Sequence, residues 1–179
     1  MSRRSLVWIL SVAMFALALA APVASARGDR GDRGALGSLD QRFVAFNTRS
    51  NLFEIGSGEL AQQRAASEDV KNFGAMLVAD HTAQQQQLAD VAARLGLPVP
   101  TDVSRRQAAM LERLASLSGA DFDRAFVRAQ VVAHIVAIVN NVRLGTNPKL
   151  NADLAELAIA GSPVLVRHLR EARRLLTAR

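Results

Sequence analysis

The chain has 179 residues, no cysteine, three histidines and a net charge of +6. Lacking cysteine, it has no disulfides, no thiolate metal sites and no covalently attached c-type haem. One tryptophan, no tyrosine and seven phenylalanines are too few for a base-stacking surface, so nucleic acid is not an expected partner. The basic balance reads first as solubility, and second as affinity for anionic envelope surfaces.

In chain order, Arg3 and Arg4 precede an apolar run, Leu6 to Ala20, and then the small-x-small sequence Ala24-Ser25-Ala26. This is the layout of a secretory signal peptide over residues 1–26. The run is shorter than the roughly 20 residues of a membrane span. The expectation is export with cleavage before Arg27, no transmembrane span after cleavage, and a place in the periplasm or at the outer membrane. No cysteine stands near the cleavage site, which excludes a thioether-linked lipid. Residues 27–39, with glycine at every third position of "RGDRGDRG", read as a flexible Arg/Gly/Asp-rich linker. Residues 40–178 are long enough for one domain with a core.

That domain reads as helix throughout, because no segment alternates with period two. The first helix is expected from Asp40, as N-cap, to Ala65, with Phe46, Phe53 and Leu60 recurring every seven residues beside Phe43 and Ala61. The second is expected from Ser67 to Gly96, with the stripe Val70, Phe73, Leu77, His81, Gln84, Leu88, Val91 and Leu95. A link follows that holds one short amphipathic helix around Met110, Leu111, Leu114 and Leu117. The third long helix is expected from Ser118 to Leu144, opened by an S-x-x-D variant of the capping box. It is apolar on most of its circumference between Ala125 and Val139, and so is expected to be the most buried. The last runs from Asn151 to about Ala178, with Pro163 predicting a kink. Leu154, Ala158, Leu165, Leu169, Ala172 and Leu176 keep one phase across that proline, which makes it one helix.

Short, long and short connections between four long helices predict an all-α, ferritin-like four-helix bundle with a crossover between helices two and three. An up-down bundle with a decorated loop has the same connection lengths.

At ~100° per residue, His81 falls at the centre of its stripe and His168 lies beside Leu165, Leu169 and Ala172. His134 borders the core face of its helix, in line with Gln130 and Ile138. Glu54 flanks the first helix's stripe, and Gly56, Ser57 and Gly58 beside it allow a neighbouring helix close approach. With a crossover, Glu54, His81, His134 and His168 span roughly 8 Å of bundle height, one on each helix. Imidazoles and a carboxylate at one level suit a single Zn, Mn, Fe or Cu ion, with Asp80, Gln84 and Gln130 as supporting hydrogen-bond partners. The bland reading makes the histidines hydrogen-bonded core residues, with Asn140 a further candidate partner. The run Gln84 to Gln87 is mostly a wet face, with only Gln84 pointing inward.

Three elements together resemble the domain of unknown function 4142 family: Asp80-His81, Gly119 with Phe122-Asp123, and Pro163 with His168-Leu169. The likeness extends over about Asp40 to Leu176. It implies an exported bacterial protein with a ferritin-like bundle and no established activity. Di-metal centres of the wider superfamily use E-x-x-H pairs, and this chain has none: Val78, Val131 and Leu165 stand three residues before the histidines. A histidine-rich mononuclear site is therefore the expectation. The function expected is metal handling or envelope stress, leaning away from an enzyme; the alternative is a structural or protein-interaction module without metal.

Overall fold

The structure, a computed structural model, describes residues 33–178, with side chains from Leu39 onward. The signal-peptide reading lies outside the described residues. Five helices make up the domain: α1 (Arg33–Arg64), α2 (Glu68–Leu95), α3 (Arg105–Ala115), α4 (Gly119–Gly145) and α5 (Ala152–Thr177). Among the described residues there is no strand, only an isolated bridge between Ala65 and Gly119.

Cross-helix contacts set the direction of each helix. Asn51 meets His81, and Gly58 meets Gly74 so closely that a Cβ on Gly58 would stand 2.6 Å from the Gly74 carbonyl oxygen. The paired numbers run oppositely, so α1 and α2 are antiparallel. Ser57 bonds Gln130, and Asp123 bonds the backbone at Ala66 and Ser67, so α4 is antiparallel to α1 as well. Both α2 and α4 therefore point the same way, and the segment carrying α3 must return along the bundle between them. α5 is antiparallel to α4 through His134–His168 and Asn141–Ala158. The all-α bundle with a crossover follows.

Two apolar clusters fill the ends. One packs Phe73, Leu77, Phe122, Phe126 and Val127 with Ala172; the other packs Leu39, Phe43 and Val44 against Leu88, Val91 and Leu154. The buried polar residues Asn51, Glu54, His81, Gln130, His134 and His168 belong to neither cluster.

Several boundaries and faces differ from expectation. α1 already includes Arg33, the first described residue, so the end of the linker stretch is helical and Asp40 is not an N-cap. Leu39 lies one turn before Phe43 and joins the same core, which extends the helix backward. The Asp40 carboxylate instead accepts from the Asn151 backbone N–H at 2.9 Å, holding the start of α5. Ser118 makes no side-chain cap bond. Asp121, one methylene shorter than the glutamate of a capping box, turns to Arg124.

The largest correction concerns α4. Val132, Ile135, Val136, Val139 and Val142 are 39–59 % exposed, so the C-terminal half of this helix is not the most buried. Its inward residues there are His134 and Asn141; aliphatic residues all round the helix hid which side faces in. By length and composition α4 is apolar enough to cross a membrane, yet it turns Asp123, Gln130, His134 and Asn141 into the bundle. In α5, Leu175 is buried and Leu176 exposed, a one-residue shift at the helix end.

Candidate metal centre

His81 on α2, His134 on α4 and His168 on α5 are between 0 and 2 % exposed. One ring nitrogen from each lies within 4.8 Å of those of the other two. Pairs of rings stand with centroids 5.2 to 6.0 Å apart, tilted or edge-on. Nitrogens sharing a metal at about 2.0–2.1 Å in tetrahedral geometry sit roughly 3.4 Å apart. The His134 Nε2 to His168 Nδ1 distance is already 3.2 Å.

The outer nitrogen of each ring is held from behind. His134 Nδ1 lies 2.9 Å from the Gln130 carbonyl oxygen, which only accepts, so this nitrogen carries the hydrogen. His168 Nε2 lies 2.8 Å from an Asp80 oxygen, which the Arg167 guanidinium also holds at 2.6 Å. His81 Nδ1 is 3.0 Å from Asn51 Oδ1, and the Asn51 amide group donates to Gln85 at 3.2 Å, which orients the asparagine. With those hydrogens outward, the inward nitrogens are His81 Nε2, His134 Nε2 and His168 Nδ1, each presenting a lone pair. His81 Nε2 has no hydrogen-bond partner. Backing of this kind is the usual support of a metal-binding imidazole.

Burial keeps the rings neutral. The His81 pKa is pushed well below the usual histidine range by desolvation, then by charge on His168 and His134. His134 is lowered to about 4, chiefly by desolvation, although its bond to the Gln130 carbonyl raises it. For His168 desolvation also wins, against the raising effect of Asp80.

Glu54 is buried but lies outside the convergent set. It stands about one helical turn beyond Asn51, the α1 residue that faces His81. Desolvation raises its pKa to about 8, and the Gln130 amide offsets only part of that, so its carboxyl is neutral at pH 7. Of the expected supports, Asp80 orients His168, and Gln130 acts on His134 through its backbone while its side chain bonds Ser57 at 2.9 Å. Gln84 forms no hydrogen bond with a histidine, and its buried amide nitrogen has no partner. Asn140 bonds the Val136 carbonyl of its own helix. Asn51 and Gln85 are the supports that sequence reasoning missed. An asparagine on the inward face of a helix, where it is a poor helix former, was the available signal.

The sequence model of the family described as Domain of unknown function (DUF4142) matches residues 26–175. The chain belongs to this DUF4142 family. No curated protein matches it. Among solved structures, this DUF4142 chain is similar to a crystal structure of a DUF305 fragment from Deinococcus radiodurans, with a TM-score of 0.67 and 16 % identity over 78 % of this chain and 95 % of that one. It is also similar to CopM in the Cu(II)-bound form, with a TM-score of 0.64 and 20 % identity over 76 % of this chain and 95 % of the other. At these identities the likeness is one of fold.

Proposed function

We propose that this DUF4142 protein is exported and binds one transition-metal ion through His81 Nε2, His134 Nε2 and His168 Nδ1, serving metal handling in the periplasm or at the outer membrane. The observation that carries the reading is the convergence of three buried lone pairs, each fixed by a hydrogen bond behind the ring. Without a cation between them, the inward nitrogens of His134 and His168 bring two acceptors face to face at 3.2 Å, an arrangement that a cation relieves. Three neutral imidazoles suit Cu(II) or Zn(II) better than Mn(II), which takes oxygen donors. The fold shared with a protein solved in a Cu(II)-bound form supports testing copper first.

Equilibrium dialysis of the chain from Arg27 onward against Cu(II), Zn(II), Fe(II) and Mn(II), with metal quantified per chain, tests this. One tightly bound ion in the wild type and none in a His81→Ala, His134→Ala double variant is the expected result. No stoichiometric binding of any of the four ions by the wild type overturns it. The exposed aliphatic residues of α4 favour the second reading in that event, a protein-interaction module whose histidines only pack.

A further inference from the structure

A groove of about 1620 Å³ is lined by residues from all five helices, and both His81 and His134 line it. It is the opening in the bundle that leads to two of the three converging rings. Its other lining residues include Arg42, Arg49, Arg106, Arg113, Arg128 and Arg143. All six are exposed, and among the described residues none of them forms an ion pair; the ion pairs involve other residues. The acidic groups in the same lining are three, two of them engaged and the third buried. Asp121 pairs with Arg124, and Asp80 is shared by Arg167 and His168. Glu54 is buried with one carboxyl oxygen unpartnered.

A free divalent ion approaching the histidines by this route meets a rim of one sign, its own. Clefts lined by charge of one sign change the on-rates of charged ligands by roughly 10- to 1000-fold, in the direction set by the ligand's charge. The same rim attracts an anion, and arginine is the side chain best matched to carboxylates, through its paired N–H donors. Resting on the metal reading above, we infer that the groove receives the metal as an anionic polycarboxylate complex, which the arginines capture and from which the three histidines take the ion. In that exchange the metal–carboxylate bonds break as metal–imidazole bonds form, the ion keeps its oxidation state, and the freed polycarboxylate leaves by the groove.

Stopped-flow loading of the metal-free chain from Arg27 onward tests this, read by the absorption that develops when imidazole binds Cu(II). Three donors of differing charge are compared at equal copper and low ionic strength: the aqua ion, the neutral bis-glycinate complex and the anionic citrate complex. The expected result is a citrate rate constant at least tenfold above that of bis-glycinate. Added salt should slow the citrate reaction and speed that of the aqua ion, because screening weakens attraction and repulsion alike. An Arg106→Glu, Arg128→Glu variant, its helicity verified by circular dichroism, should lose most of the citrate advantage. Should that variant fail to fold, the opposite salt dependences of the wild type decide the matter. A wild type that takes up one copper per chain but loads fastest from the aqua ion, with a rate that salt lowers or leaves unchanged, overturns this inference alone. A wild type that takes up none overturns the metal reading with it.

Discussion

Asp80 holds His168 with its ring turned so that Nδ1, not Nε2, faces His134. The carboxylate lies 2.8 Å from His168 Nε2 and is itself anchored by Arg167. Asp80→Ala removes the acceptor that fixes this tautomer, and His168 is then free to place its hydrogen on Nδ1 and donate it to His134. Loss of such a supporting partner costs metal affinity about 10- to 100-fold. The fold should suffer little, since the Asp80–Arg167 pair is partly exposed and such pairs contribute about 1 kcal/mol or less. Competition titration against a metal indicator, beside a thermal melt, separates the two effects.

Metal affinity should resist acidification more than an exposed histidine site would. Protons compete with the metal for the same lone pairs, and an ordinary imidazole begins to lose that competition near pH 6.5. Here His134 stays neutral down to about 4, and His81 and His168 are lowered as well. The apparent dissociation constant for Cu(II) or Zn(II) is expected to be nearly flat from pH 7.5 to 6 and to rise steeply only below about pH 5. Titrations at half-unit intervals of pH read this directly.

The convergence of the histidines was legible in the sequence because two simple counts locate them. Helical phase turned each ring inward, and distance from the helix ends put them at one height once the link between α2 and α4 was read as a crossover. What the sequence hid is what depends on partners. Asn51 gives no sign of its role until α1 and α2 are laid side by side in register. Glu54 passed the test of height and phase, but a carboxylate about one turn from the ring level lies outside the convergent set. The exposed half of α4 was obscured for another reason. Valine, isoleucine and alanine on every side remove the contrast by which an inward face is recognised, and only the exposure of Val132, Ile135, Val136, Val139 and Val142 shows that side to be uncovered.

Stability of the metal-free protein should be greatest near neutrality and fall on both sides. His134, lowered from 6.5 to about 4, contributes stability that is complete above its unfolded value and is lost as pH falls toward 4. His81 and His168 shift the same way. Glu54 has the opposite sign. Raised from 4.5 to about 8, its contribution is complete below 4.5 and is lost as pH rises through 8. Glu54→Gln keeps the shape and removes the ionisation, so it should flatten the alkaline side. At pH 8.5 in a chelator its Tm should exceed that of the wild type by roughly 5–10 °C, with little difference at pH 4.5. Because Glu54 stands outside the converging rings, the same variant should keep copper affinity within a few-fold; a hundredfold loss would place its carboxylate on the metal.

Asp123 ties the start of α4 to the turn between α1 and α2. Its two carboxylate oxygens accept from the Ala66 N–H at 3.1 Å and the Ser67 N–H at 3.0 Å. Ser67 makes no side-chain cap bond of its own, so this distant residue satisfies backbone donors at the start of α2. Asp123 is buried, whereas Ala66 is exposed and Ser67 half-buried, so on its removal water replaces part of what those two N–H groups lose. Hydrogen bonds to a charged group are each worth about 1.5–3 kcal/mol. Asp123→Ala should therefore cost roughly 2–3 kcal/mol in urea unfolding, below the sum for two fully buried bonds, and Asp123→Asn, which keeps one acceptor, about half as much. The contact lies at the end of the bundle where α1 turns into α2, about 15 residues or 20 Å from His81 along α2. The two variants should for that reason weaken the fold without changing copper stoichiometry at temperatures where they remain folded. A variant at this capping contact that lost the metal while still folded would show that the alignment of α4 against α1, and not only the local hydrogen bonds behind each ring, sets the position of His134.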